Sequence, residues 1–276
     1  AGLYKILQQA GLQVDFVAGH SFGELTALWS AGVFSEEDYL FLVKARGKAM
    51  STSPEVDAGG MLAVKGNITQ VTELIKHFPQ VAIANYNSPQ QIVLAGNKSE
   101  ITQLQNVLQA QGFSCFLLGV SAAFHTPLVS HAQKPFAHAI AQVNFQPPGI
   151  PVYSNVTGEL YPNEPASMQK ILQEHLLNQV LFQQQIKNIY QSGGNCFIEF
   201  GPKNVLTNLV KEILVDKPHV AVALNANYRQ DSDLLLREAV TKLRVFGVPL
   251  KNLDPYQVPA KISSASQKNQ QKTLNI

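Results

Sequence analysis

The chain has 276 residues, 45% of them hydrophobic, a length that suits one large domain or a large and a small one. A net charge of +2 with no basic cluster gives no electrostatic basis for binding nucleic acid or an anionic membrane surface. No apolar run could span a bilayer, no signal peptide is visible, and neither cysteine has a partner at metal-ligand spacing. We therefore expect a cytoplasmic protein without a nucleic-acid, membrane or metal site.

Hydrophobic periodicity predicts alternating helices and strands along the chain. At the start, the pattern predicts a strand over 15–18 and helices over 3–10, 25–31 and 38–50. The period then changes, and the pattern predicts helices over 68–77 and 98–111 with strands over 61–64, 81–85, 91–95 and 114–120. The order β-α-β-β-α-β is the split βαβ pattern of a ferredoxin-like unit. We predict that residues 60–120 form a small ferredoxin-like subdomain inserted into a larger domain.

The second half of the chain returns to helices that alternate with single strands. The pattern predicts strands over 152–154, 196–200 and 220–224, and helices over 127–143, 168–177, 182–191, 204–214 and 232–246. Such alternation on both sides of an insertion predicts an α/β fold, with a hydrolase-like parallel sheet covered by helices. We assign residues 1–59 and 121–253 to this large domain. Residues 254–276 lack periodicity and are rich in Ser, Gln and Lys, which is typical of a linker.

A serine stands at the junction between the first predicted strand and the helix that follows it. Ser21 is flanked by Gly19 and Gly23, and small neighbours at such a junction let the backbone turn and project the hydroxyl. The helix points its free N–H groups at the place where an oxyanion would form. This pattern is typical of a nucleophile elbow and predicts that Ser21 is a nucleophile.

A serine nucleophile needs a base, and His125 has the most site-like setting of the histidines. It lies on a loop where we expect the two domains to meet, and the small residues at 121–123 leave room for a substrate. An α/β-hydrolase would add a carboxylate and a later histidine, but no later Asp and His stand in comparable loops. We therefore predict a Ser21–His125 dyad in which a backbone carbonyl orients the imidazole.

Arg46 is the third candidate site residue. An isolated helix arginine is usually solvated, but the following Gly47 weakens the helix and predicts that another group approaches the backbone closely there. A guanidinium that faces a pocket binds a carboxylate through two parallel hydrogen bonds. Arg46 is therefore a candidate for binding a carboxylated substrate.

Five motifs follow one another in the chain: GHSFGE at 19–24, RGKAM at 46–50, AFHTP at 123–127, PVYSNVTG at 151–158 and EFGP at 199–202. Together they resemble the malonyl-CoA:acyl carrier protein transacylases and the acyltransferase domains of polyketide and fatty acid synthases. The resemblance extends from residue 3 to about residue 250. The extended elbow is most similar to acyltransferase domains of polyunsaturated fatty acid synthases and cyanobacterial glycolipid synthases.

The resemblance implies a role for each catalytic position. Ser21 would take the acyl group, and His125 would act first as general base and then as general acid. The backbone carbonyl of His175 would orient His125, at a position where relatives usually carry Asn or Gln. The backbone N–H of Phe22 would donate one hydrogen bond to the oxyanion.

The resemblance also implies the substrates. Arg46 would hold the malonyl carboxylate, Met50 would line the acyl pocket, and Phe124 would narrow it in favour of malonyl over methylmalonyl units. Malonyl-CoA would be the donor and the phosphopantetheine thiol of an acyl carrier protein the acceptor, with no bound cofactor. Neighbouring synthase domains such as a ketosynthase would be further partners.

Two other functions fit the same motifs. A serine thioesterase or esterase has the same elbow and passes the acyl group to water, but an enzyme for neutral acyl chains has no use for Arg46. A degenerate domain would bind the carrier protein without turnover. Relatives begin with a strand and a glycine-rich loop whose Gln donates a second hydrogen bond to the oxyanion, so the resemblance implies a longer polypeptide with these parts upstream.

Overall fold

The computed structural model of the protein describes residues 1–51, 59–120 and 122–251. The predicted linker 254–276 and residue 121 of the predicted substrate loop lie outside these ranges. The first segment contains α1 (Gly2–Gln9), β1 (Val17–Ala18), α2 (Gly23–Ser30) and α3 (Glu36–Ser51). The second contains β2 (Gly60–Lys65), α4 (Ile68–Ile75), β3 (Val81–Ser88), β4 (Gln91–Gly96), α5 (Lys98–Ala110) and β5 (Ser114–Leu117).

The third segment begins with a 3-10 helix over Pro127–Ala132. It continues with α6 (Gln133–Ile140), β6 (Val152–Tyr153), α7 (Pro165–Glu174), α8 (Phe182–Gln191), β7 (Cys196–Pro202), α9 (Val205–Ile213), β8 (Val220–Asn225) and α10 (Ser232–Phe246). The predicted order of helices and strands is confirmed. No helix in the three described ranges has both the length and the apolar composition needed to cross a membrane.

Two predicted elements have wrong boundaries. The single helix predicted over 127–143 is a 3-10 helix followed by α6, because the backbone of Val129 leaves helical geometry and kinks the segment. The strand predicted over 114–120 ends at Leu117, where a backbone hydrogen bond from Val120 to Leu118 turns the chain away from its neighbour. Apolar residues continue past both ends, so hydrophobicity alone does not mark them.

The strands of residues 60–120 form one antiparallel sheet in the order β3-β4-β2-β5. One face packs on α4 and α5 through side chains such as Leu62, Ile92 and Leu104. Because side chains alternate across a strand, Met61 and Val93 point to the opposite face. There they pack with Ala84, Ala95 and Ala123, so this face of the sheet supports the loop that carries His125.

The rest of the chain contains two parallel strand pairs. β1 pairs with β6, and β7 pairs with β8. The parallel direction is as predicted, but the hydrogen-bonded ladder does not run from one pair to the other within the described residues. The prediction of one continuous sheet is therefore wrong for this part of the chain, because no described strand supplies the hydrogen bonds between the pairs.

Phe136 of α6 is fully buried in the core that α6 forms with α2, α3 and α7. We expect Phe136→Ala to lower the free energy of unfolding by about 3–5 kcal/mol, because it removes apolar contacts and leaves a cavity. Urea unfolding followed by circular dichroism measures the loss. Phe41→Ala, at an exposed position of α3, serves as the control and should cost less than about 0.5 kcal/mol. Equal losses in the two variants would contradict the prediction.

Candidate active site

Ser21 lies between β1 and α2 with a backbone φ of 51°, in the left-handed region. Gly19 is sterically required, since a Cβ there would lie 2.0 Å from the backbone carbonyl carbon of Gly23. A Cβ on Gly23 would meet no described atom within 4 Å, so the predicted steric need for a small residue at that position is wrong. The tight turn therefore depends on Gly19, which lets α2 begin directly behind the serine.

The imidazole of His125 connects Ser21 to two backbone carbonyls. Its Nε2 lies 2.7 Å from Oγ of Ser21, while its Nδ1 lies 3.1 Å from the carbonyl oxygen of His175 and 3.0 Å from that of Asn178. Because carbonyl oxygens only accept, Nδ1 carries the proton and Nε2 is free to accept from the serine hydroxyl. The sequence contains no sign of the Asn178 contact, since every residue has a carbonyl.

Burial decides the charge of His125. The side chain is buried, and this desolvation, together with the positive charge of Arg46, lowers its pKa to about 4. The hydrogen bonds to the two carbonyls raise the pKa and offset part of that shift. At neutral pH the imidazole is therefore uncharged, which is the state a general base requires.

The lowered pKa of His125 predicts an unusual acid limit for the reactivity of Ser21. Protonation removes the base, and it occurs at a lower pH than for an ordinary histidine with a pKa near about 6.5. We expect phosphonylation of Ser21 by a fluorophosphonate to keep its rate at pH 6 and to fall only as the pH approaches about 4. Quenched-flow mass measurements between these values provide the check. A half-loss of rate at the ordinary histidine pKa would contradict it.

Arg46 is buried beside the nucleophile. Its Nη2 lies 3.3 Å from Oγ of Ser21, and its Cζ lies 5.5 Å from the ring centre of Phe22. Burial lowers its pKa to about 10, against an opposing effect of the Glu24 charge, so the guanidinium stays positive at neutral pH. Its Nε has no hydrogen-bond partner in the described ranges. A buried cation with an unused donor favours an anionic group next to the serine.

The glycine that follows Arg46 does not have the predicted role. A Cβ on Gly47 would meet nothing within 4 Å among the described residues, so the expected close approach to its backbone is wrong. Arg46 faces the site because it lies on the buried side of α3 with Leu42 and Ala49. This placement follows from helix packing and not from the glycine.

The remaining predicted site residues lie in three different settings. Phe22 is 43% exposed at the start of α2, and no described acceptor lies against its backbone N–H. Met50 is half-buried and packs on the core that contains Phe136. Phe124 is half-buried and packs on the sheet face of residues 60–120 that supports the His125 loop. The contact of Met50 and Phe124 with an acyl group stays a prediction.

A buried acid that the sequence reasoning left without a role lies behind Ser21. Glu24 has no exposed surface and accepts hydrogen bonds from the backbone N–H of Asn155, at 2.8 Å, and from the Tyr161 hydroxyl. Burial raises its pKa to about 7, although these hydrogen bonds and the charge of Arg46 oppose the shift. The signal in the sequence was its place in the elbow motif, where a carboxylate follows the second glycine.

The site lies between residues 60–120 and the rest of the chain. Val180 bonds to β3 on both sides, donating to the Ala84 carbonyl at 2.8 Å and accepting from the Tyr86 N–H at 2.9 Å. A cavity of about 310 Å³ beside His125 is lined on one side by residues 82–83 of β3 and on the other by residues 177–179. Across the described ranges, no group of three or more His, Cys, Asp or Glu residues is placed to hold a metal ion.

Comparison with known proteins gives the family. The acyl transferase domain model matches residues 1–248. One polyunsaturated fatty acid synthase polypeptide of Thraustochytrium sp. is 35% identical over 280 aligned residues, which include all of this chain but 10% of that protein. The chain thus spans a small part of this relative.

Two further relatives are closer in size. Polyketide biosynthesis malonyl CoA-acyl carrier protein transacylase PksC of Bacillus subtilis is 37% identical over 217 residues, which are 77% of this chain and 74% of PksC. The crystal structure of malonyl CoA-acyl carrier protein transacylase from Clostridium perfringens superposes with a TM-score of 0.79 at 30% identity, covering 88% of this chain and 76% of that one. With its fold and its family model in agreement, the chain belongs to the acyl transferase domain family.

Proposed function

We propose that the chain transfers a malonyl group from malonyl-CoA, through an acyl-enzyme at Ser21, to the phosphopantetheine thiol of an acyl carrier protein. The observation that carries this proposal is the surroundings of one oxygen atom. Oγ of Ser21 lies 2.7 Å from the base His125 and 3.3 Å from the buried guanidinium of Arg46. Nucleophile, base and a cation for the substrate carboxylate are thus within reach of one another. The name of PksC adds support by similarity.

The first half of the reaction follows from this geometry. Nε2 of His125 takes the proton of the Ser21 hydroxyl as Oγ attacks the thioester carbonyl carbon. The backbone N–H of Phe22, at the positive end of α2, donates to the oxyanion that forms. The carbon–sulfur bond then breaks, and His125 returns the proton to the sulfur of coenzyme A. In the second half, His125 deprotonates the phosphopantetheine thiol, which attacks the acyl-enzyme and frees the serine.

The substrate side rests on Arg46. Its guanidinium would bind the malonyl carboxylate through two parallel hydrogen bonds, and its burial strengthens them because water does not compete. Met50 and Phe124 would line the acyl pocket, with Phe124 favouring malonyl over methylmalonyl units. The carbonyls of His175 and Asn178 would keep the tautomer of His125 that the reaction needs.

The choice between transfer and hydrolysis can be tested directly. We expect malonyl-CoA alone to give a stable covalent adduct on the protein, and the adduct to disappear within seconds once a carrier protein with its phosphopantetheine thiol is added. Intact-mass measurement of both proteins follows the transfer. A carrier protein without phosphopantetheine is the control and should leave the adduct in place. Release of free malonate without a carrier would indicate a thioesterase or esterase. Binding of the carrier without any adduct would indicate a degenerate domain.

The proposal extends to domain organisation and setting. The strand order β3-β4-β2-β5 supports a ferredoxin-like subdomain over 60–120, inserted into a hydrolase-like domain of 1–59 and 121–253. The likeness to part of a much longer synthase polypeptide supports neighbouring domains such as a ketosynthase as partners. We place the reaction in the cytoplasm, without a bound cofactor.

A further inference from the structure

The side chain of Asn155 bonds to the backbone on both sides of the nucleophile. Its Nδ2 donates to the carbonyl oxygen of Gly19 at 2.5 Å, and its Oδ1 accepts from the backbone N–H of Ser21 at 2.6 Å. Asn155 has no exposed surface, so water does not compete for either bond. Of the common side chains, only an amide donates and accepts in this way without carrying charge.

These two bonds continue the pairing between β1 and β6. The ladder pairs Val17 with Val152 and Ala18 with Tyr153, and then both strands end. In a parallel ladder, a residue donates to the carbonyl that precedes its partner and accepts from the N–H that follows it. The amide of Asn155 makes that pair of bonds around position 20. A side chain thus extends the sheet as far as the serine.

Other contacts hold Asn155 itself in place. Its backbone N–H donates to Glu24, whose carboxylate also accepts from the hydroxyl of Tyr161. Its backbone carbonyl accepts from the N–H of Leu181 at 2.8 Å, just beyond the segment that offers its carbonyls to His125. Asn155 therefore touches the backbone that carries Ser21 and the segment that orients the base.

We propose that Asn155 is a positioning residue that holds Ser21 in its left-handed conformation, from which Oγ reaches Nε2 of His125. A serine rarely adopts a φ of 51°, and the turn needs fixed hydrogen bonds on both sides to keep it. The inference rests on the proposed function in taking Ser21 as the nucleophile. It does not depend on which acyl group is transferred.

The test measures how fast Ser21 reacts in the whole chain and what fraction of molecules react. Two reagents are used in single-turnover experiments: malonyl-CoA, and a fluorophosphonate that needs neither Arg46 nor a carrier. The amplitude counts folded sites and the rate constant reports their geometry. The matched control is Asn188→Ala, because the Asn188 amide anchors the same turn through the Gly158 carbonyl at 2.9 Å without bonding to the elbow.

We expect Asn155→Ala to lower both rate constants by about 10- to 100-fold, since small displacements of a nucleophile have effects of this size. The amplitude and the malonyl-CoA concentration at half-saturation should not change. Asn188→Ala should stay within about twofold of the wild type. Unchanged rate constants in Asn155→Ala, or a loss confined to the amplitude, would overturn the inference.

Asn155→Asp keeps the inference testable should Asn155→Ala yield little folded protein. An ionised carboxylate can accept from the Ser21 N–H but cannot donate to the Gly19 carbonyl, whereas a protonated carboxyl does both. A buried carboxyl titrates above its usual range, so the rate constant relative to wild type at the same pH should recover as the pH falls from about 8 to about 6. The wild-type reference cancels the titration of Glu24 and of His175, whose Nε2 lies 3.4 Å from the amide oxygen.

The possible results separate the two proposals. A constant ratio between Asn155→Asp and wild type across this pH range would overturn the role of Asn155. A wild type that reacts with the fluorophosphonate but not with malonyl-CoA would contradict the proposed function and leave the Asn155 test intact. A wild type that reacts with neither reagent would contradict both proposals.

Discussion

Ser21→Ala is expected to abolish the covalent malonyl adduct and to lower the rate of transfer to a carrier protein by roughly 10⁴- to 10⁶-fold. The substitution removes the atom placed to attack, while the base and the cation stay where they are. Removal of a nucleophile that works as a unit with its base has effects of this size in other serine enzymes. Intact-mass measurement shows the adduct, and a carrier-protein assay gives the rate.

Ser30→Ala is the matched control for this substitution. Ser30 lies at the end of α2, and its hydroxyl donates to the Ala27 carbonyl far along the helix from the elbow. The variant should form the adduct at the wild-type rate. An adduct that persists in Ser21→Ala would show that another residue accepts the acyl group and would refute the proposed mechanism.

Arg46→Ala is expected to lower the rate of acylation by malonyl-CoA by about 10²- to 10⁴-fold, which corresponds to two charge-assisted hydrogen bonds of roughly 1.5 to 3 kcal/mol each. Acylation by acetyl-CoA should not fall, because an acetyl group has no carboxylate to bind. The selectivity for malonyl over acetyl should therefore collapse. Parallel single-turnover measurements with the two thioesters give this ratio.

Two variants make the Arg46 experiment specific. Arg46→Lys keeps the positive charge but loses the planar pair of donors, so it should fall between wild type and Arg46→Ala. Lys44→Ala removes an exposed cation from the same helix and should leave the ratio unchanged. An equal loss with both thioesters in Arg46→Ala would mean that Arg46 supports the fold or the serine and does not read the carboxylate.

The contrast between Arg46 and Gly47 shows how far sequence reasoning extends. The motif around Arg46 pointed to a site residue, and the structure places its guanidinium next to Ser21. The glycine argument that accompanied it was wrong, because the space beside Gly47 is open among the described residues. A propensity describes the cost of a residue in a helix, but not which neighbour lies beside it.

The sequence by itself determined the order of helices and strands, because the period of apolar residues reports which face of each element is buried. It also determined the elbow, since a glycine at position 19 is what fits beside the backbone of Gly23. Tertiary structure decided that two carbonyls bond to His125 and that the Asn155 amide holds the serine. It also decided that the ladder breaks between the two parallel strand pairs in the described part of the chain. The reason is that carbonyls and amides occur throughout any sequence, so only folding selects which of them meet.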